Sequence, residues 1–98
     1  MDKKFELFGD VETKFGVDVR RVRAMRDFGD VKKGDVGGFV EKESNLSHDD
    51  DAWVCGDAWV YGNAKVFGNA KVSGDAKAYG NARVCGNARV YGDARVNK

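Results

Sequence analysis

Proline is absent from the 98 residues, cysteine occurs twice and histidine once. No apolar run approaches the roughly 18 residues that a membrane-spanning helix needs, so no membrane association is expected. The start, Met1-Asp2-Lys3-Lys4, has no apolar stretch behind it, so no secretory signal is expected. Cys55 and Cys85 are too few for a disulfide scaffold. With a single histidine they also make no convincing zinc site. The expectation is a chain in a reducing cytoplasm, with no metal and no cofactor. An excess of one charge is missing as well: 17 Lys and Arg stand against 16 Asp and Glu, a net charge of +1. That disfavours a strongly basic nucleic-acid binder and a polyacidic mimic alike, so nucleic acid is not expected as a direct ligand. At this length the chain is one domain, close to the lower limit for a self-sufficient core.

What is present is a repeat. From Asp51 the chain reads DAWVCG, DAWVYG, NAKVFG, NAKVSG, DAKAYG, NARVCG, NARVYG, DARVNK, eight units of six residues. The first position is always Asp or Asn and the second always Ala. The fourth is Val except at Ala78, and the sixth is Gly except at Lys98. Ala and Val alternate with polar or aromatic residues, which is the period of a strand with one face inward. Gly followed by Asp or Asn is a corner, because both tolerate positive φ. Each hexad is therefore a short strand plus a corner, wound around an interior no wider than alanine and valine allow.

The pattern resembles the hexapeptide-repeat family, with aliphatic Val54 and small Ala58 four residues apart, then Val60 and Ala64, and so on to Val90 and Ala94. The resemblance implies an all-β fold, a short left-handed parallel β-helix of about three coils, with three hexads and 18 residues per coil. The preceding hexad, residues 45–50, fits the same frame loosely, with Leu46 in the Ala place and His48 in the Val place. The expected organisation is an N-terminal β cap over residues 1–44 and a solenoid over residues 45–98.

An 18-residue coil predicts which residues stack. One face carries Trp59, Lys77 and Arg95 with Tyr61 and Tyr79 alongside. A second carries Trp53, Lys71 and Arg89 with Cys55, Ser73 and Tyr91. The third carries Ser47, Lys65 and Arg83 with Phe67 and Cys85. The cysteines fall on different faces, so no disulfide is expected between them. Since only Ala and Val point inward, Trp53, Trp59, Tyr61, Phe67, Tyr79 and Tyr91 lie outside the solenoid. Six rings are too many to leave wet, so they need a cover: the N-terminal segment or another protein. Asp57, Asp75 and Asp93 stack at one corner. They read as a cation site or, as favoured here, as acceptors of corner N–H groups beside the Lys and Arg columns.

The N-terminal 44 residues lack the hexad. Phe5 and Leu7 alternate before a turn at Phe8-Gly9-Asp10. Val17 and Val19 alternate, and Val22 and Ala24 continue on the other parity, so a β-bulge is expected at Arg20-Arg21. A helix over residues 19–28 is the weaker alternative. Gly29-Asp30, Gly34-Asp35 and Gly37-Gly38 read as loop. A β-hairpin capping the N-terminal end of the solenoid follows, because solenoid ends expose unpaired strand edges. The last repeat shows no cap, so self-association as a dimer or trimer is expected. Arg20, Arg21, Arg23 and Arg26 cluster, with pairing to Asp18, Asp27, Asp30 and Asp35 favoured. Lys77 and Arg95 beside the Tyr rings, together with Arg20, Arg21 and Arg23, are the candidate anion site.

Acyltransferases of the hexapeptide fold use a histidine base, and the resemblance offers only His48 for that role. No loop interrupts the hexads and no nucleophile–base pair is visible. The motif GNARVYGDARV and the segment RAMRDFGDVKKGDVGGFVEKESNLSHDD are also similar to small hexapeptide proteins of phages and mobile elements. The expectation is a non-catalytic, homo-oligomeric binding protein acting on a host protein, centred on Trp59, Tyr61 and Tyr79. The alternatives are sequestration of an anionic nucleotide, an acyltransferase, and a self-assembling structural module.

Overall fold

The computed structural model describes residues 3–14, 16–48 and 51–97; Asp49, Asp50 and Lys98 of the repeat frame lie outside them. The chain is nearly all β, a β-solenoid of about three turns entered through an antiparallel hairpin. The hairpin strands are β1 (Phe5–Lys14) and β2 (Val17–Ala24). Strand β3 (Val36–Val40) pairs antiparallel with β2 on one edge and parallel with β5 on the other. Eight two-residue strands then follow, one per hexad: β4 (Trp53–Val54), β5 (Trp59–Val60), β6 (Lys65–Val66), β7 (Lys71–Val72), β8 (Lys77–Ala78), β9 (Arg83–Val84), β10 (Arg89–Val90) and β11 (Arg95–Val96). They form three parallel faces: β3-β5-β8-β11, continued from β1-β2; β4-β7-β10; and β6-β9. The 18-residue stacking holds from β4 to β11, with Trp59 against Lys77 against Arg95, and Lys65 against Arg83. Every repeat glycine from Gly56 to Gly92 has positive φ, which is why the corner needs it. The interior is a column of small aliphatics: Ala58, Val60, Ala70, Val72, Ala76 and Ala78 are wholly buried.

The polarity of the ladder governs the end of this column. Alternate backbone N–H groups donate to carbonyls in the next coil, as Trp53 to Ala70 and Lys65 to Ala82. The Ala, Val and Gly carbonyls of each hexad therefore point toward the N-terminal end, and those of the first full coil need donors that no repeat supplies. The N-terminal segment supplies them. Phe39 N donates to Ala58 O, Glu41 N to Val60 O and Ser47 N to Val66 O. Side chains do the rest: Asn45 Nδ2 donates to Gly62 O at 3.3 Å and Ala64 O at 2.8 Å, Lys4 Nζ to Ala52 O at 2.6 Å, and Arg21 Nη1 to Gly56 O at 3.2 Å. Phe5, Val22, Ala24 and Val31 join the solenoid interior as its apolar plug.

Several expectations are corrected here. Leu46 bridges Val66 and Val40 pairs with Val60, so the entry coil is 20 residues long and Leu46 takes the Val place. The extra two residues fall between Leu46 and Val54. His48 is thereby displaced from the interior and stacks flat on Phe5 at 4.2 Å. Gly9-Asp10 is an irregularity within β1 and makes no turn. The bulge in β2 lies between Arg21 and Arg23 in its pairing with β3, and residues 17–24 are strand, not helix. Strand β2 buries both faces, Val22 and Ala24 in the plug and Val19 against Phe39 and Trp59, which accounts for the change of parity. Gly37-Gly38 belongs to β3, because its backbone presses on the first coil: a Cβ at Gly37 would stand 2.2 Å from Val54 O.

Two outcomes follow. Asn45→Ala removes both donors and the acceptor that holds Glu41 N–H and Lys42 N–H. It should cost about 3 kcal/mol in urea unfolding, within the range for buried groups left unpaired. Gly37→Ala should cost at least as much, about 3 kcal/mol, since its Cβ meets backbone that cannot give way. Unchanged denaturation midpoints would contradict the roles assigned to these residues.

Candidate binding surfaces

The six outer rings divide into two groups. Trp53 and Trp59 are buried, 5% and 4% exposed. Phe28 meets Trp53 edge-on at 5.3 Å, and Phe39 and Val19 cover Trp59. The chain's own N-terminal segment is their cover, and neither offers a surface to a partner. Tyr61, Phe67 and Tyr79 remain half-buried, and Tyr91 is 70% exposed. Tyr61 and Tyr79 stack one coil apart, with centroids 5.2 Å apart and planes within 8°. Trp59 meets Tyr61 edge-on and braces the pair from below. Burial raises the Tyr61 phenol above its ordinary pKa, helped by Tyr79 and opposed by Arg95. The pair is a stacked, partly solvent-facing aromatic step.

The basic residues separate in the same way. Arg21 packs over the Phe39 ring at 4.3 Å and pairs with Asp57 at 3.0 Å. Arg23 packs over Phe8 and pairs with Glu6. Arg26 donates to His48 O. These partners differ from the aspartates expected from sequence proximity, because the hairpin folds onto the solenoid. Arg20 and Arg95 are exposed. A groove of about 510 Å³ brings Arg21 and Lys77 together, but its walls also carry Glu12, Asp57, Asp75 and Asp93. Four carboxylates against two cations give that groove no preference for an anion. The stacked aspartates are part of it, and among the described residues no group of His, Cys, Asp and Glu is arranged to hold a metal ion.

His48 is committed at both ring nitrogens. Nδ1 accepts from Lys4 N–H at 3.1 Å, and Nε2 lies 2.9 Å from Glu43 Oε1, which makes Nε2 the protonated nitrogen. Glu43 also binds Lys3. The thiol of Cys55 is pushed up by burial, and Cys85 is exposed on another face.

Two further grooves lie on the other faces, whose stacked residues the 18-residue period already groups. The β4-β7-β10 face has a groove lined by Cys55, Lys71, Ser73, Arg89 and Tyr91. The β6-β9 face has one of about 350 Å³ lined by Lys42, Ser44, Asn63, Lys65, Asn81 and Arg83. The 18-residue period already stacked Lys65 on Arg83. It could not place Lys42, which enters through the longer first coil.

Contacts with His48 first, and then with Lys3, hold the Glu43 carboxyl below its ordinary pKa. A carboxyl with a depressed folded pKa adds stability above its unfolded pKa and loses it as pH falls through the folded value. Glu43→Gln should therefore flatten the acid limb of a stability-against-pH curve below about pH 5, with little change at neutral pH. An unaltered acid limb would show that the Glu43 contacts do not stabilise the cap.

Residues 88–98 match the family model described as the YdcK beta solenoid repeat. No curated protein matches the chain. With that match in its last two hexads and three parallel faces wound from hexads, the chain is a β-solenoid of the repeat-based β-helix kind.

Proposed function

We propose that this is a non-catalytic β-solenoid binding protein that holds a second protein against its outer aromatic step. The observation that carries the reading is the Tyr61–Tyr79 stack, two rings held flat against each other by neighbouring rungs and left partly open to solvent. Rigid aromatics with little conformational freedom left to lose are what dominates protein interfaces. The centre of the surface therefore moves from Trp59, which is covered, to Tyr61 and Tyr79. Tyr91 on the β4-β7-β10 face is a second, separate anchor. The resemblance to small phage and mobile-element proteins supports a host protein as the target, a defence or nucleic-acid-handling factor being the kind of partner envisaged. In this reading the protein works in the host cytoplasm as a dimer or trimer. Engagement of both His48 nitrogens supports binding over acyl transfer, since a general base needs a free lone pair facing its substrate.

The experiment compares wild type with Tyr61→Ala/Tyr79→Ala as immobilised bait in bacterial lysate. Retained proteins are identified by mass, and each is then purified and titrated alone. A partner bound directly by wild type and at least ten-fold more weakly by the variant is expected, with the variant's far-UV circular dichroism unchanged. Turnover of acetyl-CoA that His48→Ala abolishes would replace this reading with the acyltransferase. Capture of nothing but the chain itself would leave self-assembly.

A further inference from the structure

The charge of this chain is balanced overall, but the β6-β9 groove gathers three cations, against two in the β4-β7-β10 groove. Four of the described cations meet carboxylates: Arg21 with Asp57, Arg23 with Glu6, Lys3 with Glu43, and Lys71 with Asp30. The groove on the β6-β9 face holds Lys42, Lys65 and Arg83 and no acidic residue. Lys65 and Arg83 sit directly opposite each other in parallel register. Like charges placed so repel, and the arrangement costs stability unless an anion shares them. Glu41, next to Lys42 in the chain, accepts Gly62 N–H at 2.8 Å and is not among the residues lining the groove.

The corner beside these cations is made of amides. Lys42 Nζ donates to Asn63 Oδ1 at 3.3 Å, and Asn63 Nδ2 donates to Asn81 Oδ1 at 3.4 Å. This relay runs one way along the solenoid and leaves the Asn81 amide group with its N–H donors beside Arg83. Ammonium, guanidinium, amide and the Ser44 hydroxyl all line one groove. The donor set is that of an oxyanion site, with Arg83 able to grip two oxygens at once. The cations stand on three successive coils, roughly 4.8 Å apart per strand spacing. A chain of linked phosphates can follow such a ladder, with one phosphate to each cation. No ring is among the residues that line the groove.

We propose that the β6-β9 groove binds the linked phosphates of a small di- or polyphosphate-bearing ligand through Lys42, Lys65, Asn81 and Arg83. This site is distinct from the anion site suggested by the sequence at Lys77 and Arg95. It lies on another face from the Tyr61–Tyr79 surface, so the two stand or fall separately.

The test is isothermal titration of the full chain with inorganic tripolyphosphate, and with orthophosphate for comparison, at 0.1 M salt. A one-to-one complex is expected, at least ten-fold tighter for tripolyphosphate than for orthophosphate. Lys65→Gln/Arg83→Gln should weaken it ten-fold or more while Lys77→Gln/Arg95→Gln, which removes the same charge from another face, leaves it unchanged. Both pairs are surface substitutions, and thermal unfolding confirms that each variant is folded. Absence of heat and of any tripolyphosphate-induced rise in melting temperature overturns the site. So does equal weakening by the two pairs, which would mean attraction to net charge alone, or equal affinity for the two anions.

Discussion

A parallel solenoid has a direction, and the rest of this structure depends on it. Along each rung the Ala, Val and Gly carbonyls reach back to the preceding coil, where the alternate N–H groups donate to them. The repeat therefore satisfies itself everywhere except at its ends. At the N-terminal end a ring of carbonyls faces outward, and each one buried without a donor costs on the order of 1–3 kcal/mol. For a chain near the lower size limit for a stable core, that debt would rival the whole margin of stability.

The N-terminal segment meets it in two ways. Where the entry chain follows a solenoid face, at β3 and at Leu46-Ser47, backbone donates to backbone as in a regular coil. Where it departs from the face, side chains take over. Asn45 is the clearest case, wholly buried, with one amide group standing in for two missing backbone donors and its oxygen holding the turn before it. Lys4 and Arg21 reach in from the hairpin to two other carbonyls. Each also meets a ring face, Phe28 and Phe39 respectively, and Arg21 pairs in addition with Asp57. The same hairpin that closes the end covers Trp53 and Trp59, so capping the column and drying two of its outer rings are one event.

What remains exposed is a consequence of that economy. The hairpin extends only the β5-β8-β11 face, and it ends before the Tyr61–Tyr79 step. The β6-β9 face receives no strand from it and keeps its basic groove uncovered, without a carboxylate among its lining residues. Functional surface in this fold is what the cap leaves over, and each of the three faces is left in a different chemical state.

The hexads by themselves determined the strand-and-corner unit, the 18-residue stacking, the Ala and Val interior and the separation of Cys55 from Cys85. Each of these follows from a local rule repeated without interruption, so a period is enough to read it. The tertiary structure decided everything at the entry. The coil there is 20 residues long, which moved Leu46 into the Val place and His48 out to Phe5, and no period announces an insertion in the first turn. Partners of Arg21, Lys4 and Asn45 are 35, 48 and 19 residues away. Such contacts depend on where the hairpin folds back. Nearby aspartates therefore made poor guides to the arginines, and aromatic exposure could not be told from aromatic position. Burial of Trp59 and openness of Tyr61 differ by two residues in sequence and by the edge of one strand in space.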